Sequence, residues 1–120
     1  MGLFGFGKKK SPTYTYKMLF SSPFNYERDH QIKSLALKRL GDAGVVVSNT
    51  KTTVMGPGAK SEFTGEPGEA IIITNDAIDG RTSFMTIEVK TNKASAEAIN
   101  AAFADIKSIL IDADIFFREF

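Results

Sequence analysis

Two stretches of this chain alternate with a period of two: "TYTYKMLF" at residues 13–20 and "RTSFMTIEVK" at residues 81–90. A strand turns successive side chains to opposite faces, so the alternation sorts each stretch into two sides. In the first, Tyr14, Tyr16, Met18 and Phe20 stand opposite Thr13, Thr15 and Lys17. In the second, Ser83, Met85, Ile87 and Val89 stand opposite Thr82, Phe84, Thr86, Glu88 and Lys90. Strands of this kind demand a sheet with one covered face and one wet face. Antiparallel sheets have that character, whereas parallel ones are buried on both sides.

The cover has to come from helices. Residues 26–40 place Ile32, Leu35, Ala36 and Leu40 on one stripe, at the spacing of an amphipathic helix. Asn25 can cap its start, Glu27 suits the positive end of its dipole, and Gly41 can take the left-handed conformation that ends it. Residues 95–120 read as a second, long helix. Ser95 is its cap, and Ile99, Phe103, Ile106, Leu110, Ala113, Phe117 and Phe120 step along one face. The alternative breaks this helix near Asp112 and makes "DIFFREF" a further strand, since short apolar runs fit either pattern.

Between the helices, "VVVSNTKTTVM" and "EAIIITN" read as strands from their β-branched residues. The thirteen residues "GPGAKSEFTGEPG" (56–68) hold four glycines and two prolines and read as a loop. Asp79-Gly80 is a hairpin turn signal. The expected fold is therefore α+β: a two-layer sandwich with a four-stranded, mostly antiparallel sheet and two helices on one face. The element order is β-α-β-β-β-α, with the C-terminal strand as the variant. Residues 13–120 form this one domain, and residues 1–12 precede it as an arm.

The arm, "MGLFGFGKKK" followed by Ser-Pro, sets Leu3, Phe4 and Phe6 among glycines and then adds Lys8, Lys9 and Lys10. It lacks the long apolar core of a secretory signal, and its lysines follow the apolar residues instead of preceding them. The three glycines disfavour an amphipathic membrane helix. The net charge of the chain is +1, so without these three lysines the body is slightly acidic. That argues against a broad nucleic-acid footprint. The chain has no cysteine, which rules out disulfides, thiolate metal sites and cysteine nucleophiles and fits a reducing, cytoplasmic setting.

Chemistry-bearing motifs are weak throughout. His30 is the single histidine and sits among charged residues at a helix start, where neighbours one step apart do not face each other. "GPGAKS" departs from the phosphate-loop pattern because Ala59 separates Gly58 from Lys60. Asp76 with Asp79, and Asp112 with Asp114, fall short of the ligand count of a calcium loop. Tyr14, Tyr16 and Phe84 cannot form one stacking platform, because Phe84 lies on the opposite sheet face. No catalytic residue, metal site or cofactor is expected.

The aromatic residues at the two ends are the exception. A helix of about 24 residues is ~36 Å long, and strands of about eight reach only ~26 Å. The last helix would overhang the sheet and carry Phe116, Phe117 and Phe120 beyond it. With Leu3, Phe4 and Phe6 these make an apolar surplus of the kind that marks interaction sites. The expected function is a non-enzymatic interaction or assembly protein that self-associates, or joins a larger complex, through these ends. A peripheral membrane or nucleic-acid adaptor using Lys8, Lys9 and Lys10 is the alternative. Ligand binding or an enzyme site at the 56–68 loop comes third.

Overall fold

The computed structural model describes residues 13–55, 58–76 and 81–120. Its elements run β1 (Tyr14–Pro23), α1 (Tyr26–Asp42), β2 (Val47–Met55), β3 (Gly58–Gly65), β4 (Ala70–Asp76), β5 (Thr82–Thr91), α2 (Ala96–Ala102), α3 (Ala104–Asp112) and β6 (Phe117–Glu119). The strands form one six-stranded sheet in the order β2-β3-β4-β5-β1-β6, and every neighbouring pair is antiparallel. The class is α+β, as the alternation requires.

The two alternating stretches sit side by side. β1 and β5 pair over ten residues, from Tyr14 opposite Thr91 to Pro23 opposite Thr82. Their apolar sides face the helices: Tyr16, Met18, Phe20, Met85, Ile87 and Val89 are all buried, together with Ile71 and Ile73 of β4. From the helix layer come Ile32, Ala36 and Leu40 of α1 and Ile99, Phe103, Ile106 and Leu110 of the α2–α3 segment. The Tyr16 ring lies against Phe103 with centroids 4.5 Å apart. Each large side chain buried in this way contributes roughly 1.5–3 kcal/mol.

Both predicted N-caps form. The Asn25 side chain accepts from the Arg28 N–H at 3.0 Å, and the Ser95 hydroxyl accepts from the Ala98 N–H at 3.1 Å. Helix α1 runs past Gly41 to Asp42 and ends through Gly44, whose φ of 112° is the left-handed position. α2 and α3 meet at Phe103. Backbone bonds from Phe103 N–H to the Ile99 oxygen and from Lys107 N–H to the Phe103 oxygen carry the hydrogen bonding across the joint. Arg39 and Asp105 approach to 2.7 Å between α1 and α3.

Three expectations are corrected. The first concerns residues 56–68, read as a loop. Residues 58–65 form β3, an interior strand between β2 and β4. Ala59, Ser61 and Phe63 oppose Asn75, Ile73 and Ile71 on the helix side, while Lys60, Glu62 and Thr64 face outward. The glycine at its end serves the sheet: a Cβ on Gly65 would lie 2.1 Å from the Val46 carbonyl oxygen. Glu66-Pro67-Gly68 is the tight turn into β4.

The second correction concerns the C-terminus. The helix ends at Asp112, Asp114 takes a positive φ of 59°, and Phe117–Glu119 pair with Phe20–Met18 of β1. The variant with a C-terminal strand is therefore the observed arrangement, and no helix overhangs the sheet. The reason is non-local, since the outer edge of β1 offers free backbone groups that a strand can satisfy and a helix cannot. The third correction is to the strand count, six instead of four. The strands on either side of α1, β1 and β2, run in the same direction, with β3, β4 and β5 between them.

Candidate functional site

The helices occupy one face of the sheet, and no described element covers the other. Its side chains form rows set by the strand register. One row reads Lys51, Glu62, Ile72, Glu88 and Lys17 across five strands, placing opposite charges on neighbouring strands at each end. The next reads Thr53, Lys60, Thr74, Thr86, Leu19 and Arg118. Rows of this composition are what water covers well, and Lys60 lies 3.8 Å from Glu62 within them.

The polar pattern fails at the β6 end. The pleat turns Phe117 and Glu119 toward the helices and Phe116, Arg118 and Phe120 outward. Phe120 continues the pairing with β1, exchanging backbone hydrogen bonds with Lys17 at 2.8 and 3.2 Å. Phe116 is 94% exposed and Phe120 65%. Phe84, opposite Ser21 on the same face, is also exposed, and Leu19 lies half-buried between the two aromatic positions. The result is an apolar strip over β5, β1 and β6 that carries the cation of Arg118.

The strip stands on a firm support. The Tyr16 hydroxyl donates to Glu119 Oε1 at 2.8 Å, and Lys107 Nζ reaches the same oxygen at 2.6 Å. Core, α3 and β6 are thereby joined at one carboxylate. The Lys107 hydrogen bond, with help from Tyr16, holds the Glu119 carboxyl below the usual carboxylate range. Burial pushes the Tyr16 phenol up, and the bond to Glu119 adds to this. Phe117 packs half-buried against the core beside them.

A second polar cluster lies at the opposite end of the strands, under the start of α1. Asp29 is 5% exposed, and its Oδ2 accepts from the Ser83 hydroxyl at 2.9 Å; that hydroxyl is also 3.4 Å from Asn75 Oδ1. Arg28 donates to Ser22 Oγ at 3.0 Å and to the Pro23 oxygen at 2.7 Å. Asp29 Oδ1 and Arg28 Nε are buried without a hydrogen-bond partner. The charged start of α1 is therefore not solvated throughout: Glu27 and His30 are exposed and Asp29 is buried. Stepping back three residues from Ile32 along the apolar stripe lands on Asp29. Among the described residues the cluster joins a carboxylate, a hydroxyl, an amide and a guanidinium. It reads as the polar seam where α1 leaves the sheet.

Glu69 is likewise buried and structural. It accepts from the Thr91 hydroxyl at 2.7 Å and the Asn92 N–H at 2.8 Å. The Thr91 oxygen in turn accepts from the N–H groups of Lys93 and Ala94, so these bonds shape the turn from β5 into α2. Lys93 is paired at the surface with Glu66.

The remaining candidates do not converge. His30 is exposed on α1 and stacks on Tyr26, with centroids 6.0 Å apart. Lys60 lies on β3, so "GPGAKS" opens a strand where a phosphate loop opens a helix. Asp112 and Asp114 are exposed, and the described residues contain no group of three or more His, Cys, Asp or Glu able to hold a metal ion. Among the described residues no helix is long and apolar enough to cross a membrane. Leu3, Phe4, Phe6, Lys8, Lys9, Lys10 and Asp79 lie outside the described residues. Of the six aromatic and aliphatic residues singled out at the two ends, the fold therefore places three. Phe116 and Phe120 lie on the outer face at either end of β6, and Phe117 lies on the core side. No family model matches the chain, and no curated protein or solved structure does either.

Proposed function

We propose that this is a non-enzymatic interaction or assembly protein that self-associates, or joins a larger complex, through its aromatic ends. The observation that carries the reading is the exposure of Phe116 and Phe120 at the two ends of β6, a strand that is itself firmly anchored. A rigid support presenting two large apolar side chains to water is costly in a free monomer and useful in an interface, where aromatic residues and arginine are enriched. The strip combines Phe116 and Phe120 with Phe84, Leu19 and Arg118. Burying two phenylalanines would contribute several kcal/mol toward the cost of association, at roughly 1.5–3 kcal/mol each.

Leu3, Phe4 and Phe6 belong to the same reading. The twelve residues before Thr13 extend to about 40 Å at ~3.3 Å each. Thr13 precedes the end of β1 that pairs close to Phe120, so the arm is long enough to reach the strip on its own chain or on a neighbour. The setting proposed is cytoplasmic, which suits a chain without cysteine.

The test is the solution mass of the full chain by sedimentation. It is repeated with Phe116→Ser together with Phe120→Ser, and separately with Phe4→Ser together with Phe6→Ser. Each pair should lower the mass or release a co-purified partner while the melting temperature changes little. A chain that stays monomeric at high concentration with and without these changes, and copurifies with nothing, would defeat the reading. The membrane alternative predicts instead that the Phe4/Phe6 change abolishes binding to anionic vesicles and leaves the mass unchanged.

A further inference from the structure

The edge farthest from β6 is built differently, and its features point to an occupant. Six strands spaced about 4.8 Å apart span ~24 Å, whereas two helix axes about 10 Å apart cover ~20 Å. The two layers are nearly matched in width, and the strand left at the margin of the helix layer is β2. Residues 48–54 are exposed on both faces, Val54 to 77%. β2 is the terminal strand of the sheet, so one row of its backbone N–H and C=O groups is unpaired among the described residues. Edge strands are normally blunted by proline, by clustered charge or by shortness. β2 has nine residues, no proline and one charge, Lys51. Its single irregularity is a bulge between Val47 and Asn49, which leaves Asn49–Met55 as seven regular residues. Three of these are threonine and one is valine, all strong strand formers.

We propose that β2 pairs antiparallel with β2 of a second copy of this chain, about a two-fold axis at Thr52. The register follows from three constraints. A two-fold axis perpendicular to the sheet keeps faces matched only if it passes through a residue position. An axis at Lys51 sets two lysines directly opposite, which is destabilising. An axis at Thr50 or Thr53 runs into the bulge or shortens the ladder. The axis at Thr52 uses all seven residues: Asn49 opposite Met55, Thr50 opposite Val54, Lys51 opposite Thr53, and Thr52 opposite itself. Threonine–threonine and threonine–valine pairs are favourable cross-strand neighbours. Whichever alternate residues send their backbone groups outward, the two copies satisfy them reciprocally. No described element obstructs the pairing, because β2 stands clear of the helices, and it makes one twelve-stranded sheet. It engages the edge opposite the aromatic strip and does not depend on the function proposed for that strip.

The absence of native cysteine gives a clean test. Across an antiparallel pair, directly opposite Cα atoms are about 4.5–5.5 Å apart, within disulfide range. Residues two steps out of register are at about 7–8 Å, and those four steps out are farther still. The full chain carrying Thr52→Cys should form a covalent dimer under mild oxidation at least ten-fold faster than one carrying Val54→Cys. Val54 is highly exposed, so random collision would link it at least as fast as Thr52. In the Phe116→Ser/Phe120→Ser background, Thr52→Lys and Thr52→Glu should each lower the solution mass about two-fold, and mixing them should restore it. Equal linking at 52 and 54, or an unchanged mass in Thr52→Lys, would overturn the pairing. If that happens while the Phe116/Phe120 change still alters the mass of the parent chain, the aromatic-strip reading survives alone.

Discussion

β6 pairs with β1 through three residues and is tied down by side chains, whereas β2 pairs with β3 along its length and has no described side-chain hydrogen bond or ion pair. The short edge is the anchored one. Its Glu119 receives both Tyr16 and Lys107, and its Phe117 packs on the core. The long edge relies on backbone hydrogen bonds to β3 and on little burial. Local stability should follow buried contacts more than the number of paired residues. Two edges of one sheet can therefore serve different ends, one a rigid platform for exposed side chains and the other an open backbone template.

The sharpest way to break this contrast is to remove the anchor. Tyr16 is buried, packs its ring at a tilt against Phe103 and holds Glu119. Tyr16→Ala should cost about 3–5 kcal/mol, as truncating a large core aromatic does. It should also release β6 before the rest of the sheet, seen as early hydrogen exchange at residues 117–120. Thr52→Ala at the open edge should stay within about 0.5 kcal/mol in denaturant melts. Comparable losses at the two sites would mean that the edges do not differ.

Next in size is the attachment of β2 itself. Because a Cβ at position 65 would meet the Val46 oxygen at 2.1 Å, Gly65→Ala forces the two backbones apart and should cost about 1–3 kcal/mol. The damage should stay local: exchange should quicken through residues 47–55 while β5 remains protected. Uniform loss of protection would show that β2 is more tightly coupled to the core than its exposure suggests.

The same contrast explains what could be read in advance. β1, β4, β5 and α1 were legible because each carries its own period: alternation in β1 and β5, a β-branched run in β4, and Ile32, Ala36 and Leu40 in α1. β3 was not, because its inward residues Ala59, Ser61 and Phe63 include only one large apolar side chain and glycine stands at both ends. Its strand character comes from neighbours on both sides, which no local pattern records. Residues 113–120 misled for the opposite reason. Phe117 and Phe120 continue the helical spacing of Ile106 and Leu110, yet the free edge of β1, far away in sequence, decides the outcome. At the site, the aromatic surplus was visible and its sorting was not: the turn at Asp114 determines that Phe116 and Phe120 face outward and Phe117 inward. Asp29 was hidden because a carboxylate on an apolar stripe is unexpected, and its partner Ser83 lies 54 residues away.

Removing one atom from the anchor gives a smaller effect. Tyr16→Phe keeps the ring against Phe103 and deletes the hydroxyl that donates to Glu119. The expected loss is about 0.5–1.5 kcal/mol, the usual net worth of one hydrogen bond, with no loss of packing. A loss as large as that of Tyr16→Ala would show that the hydroxyl, and not the ring, holds this edge.

The smallest effect is a pH dependence that belongs to the anchored edge. The Glu119 carboxyl is lowered in the folded chain, chiefly by Lys107. A lowered carboxyl contributes stability that is present above its unfolded value and is lost as pH falls through the folded one. Acid should therefore loosen β6 only below the usual carboxylate range, and Glu119→Gln should remove that part of the acid sensitivity. The pair is partly open to solvent, so the change should be modest. The Tyr16 phenol is raised in the folded chain, chiefly by burial. The unfolded chain then releases the phenolic proton first, and stability falls as pH rises above the ordinary tyrosine value of about 10. Tyr16→Phe should abolish that alkaline contribution. Hydrogen exchange, corrected for its intrinsic pH dependence, should therefore show opening at 117–120 toward both extremes, ahead of any opening at 48–54. Acid opening of β2 ahead of β6 would reverse the assignment of the anchored edge.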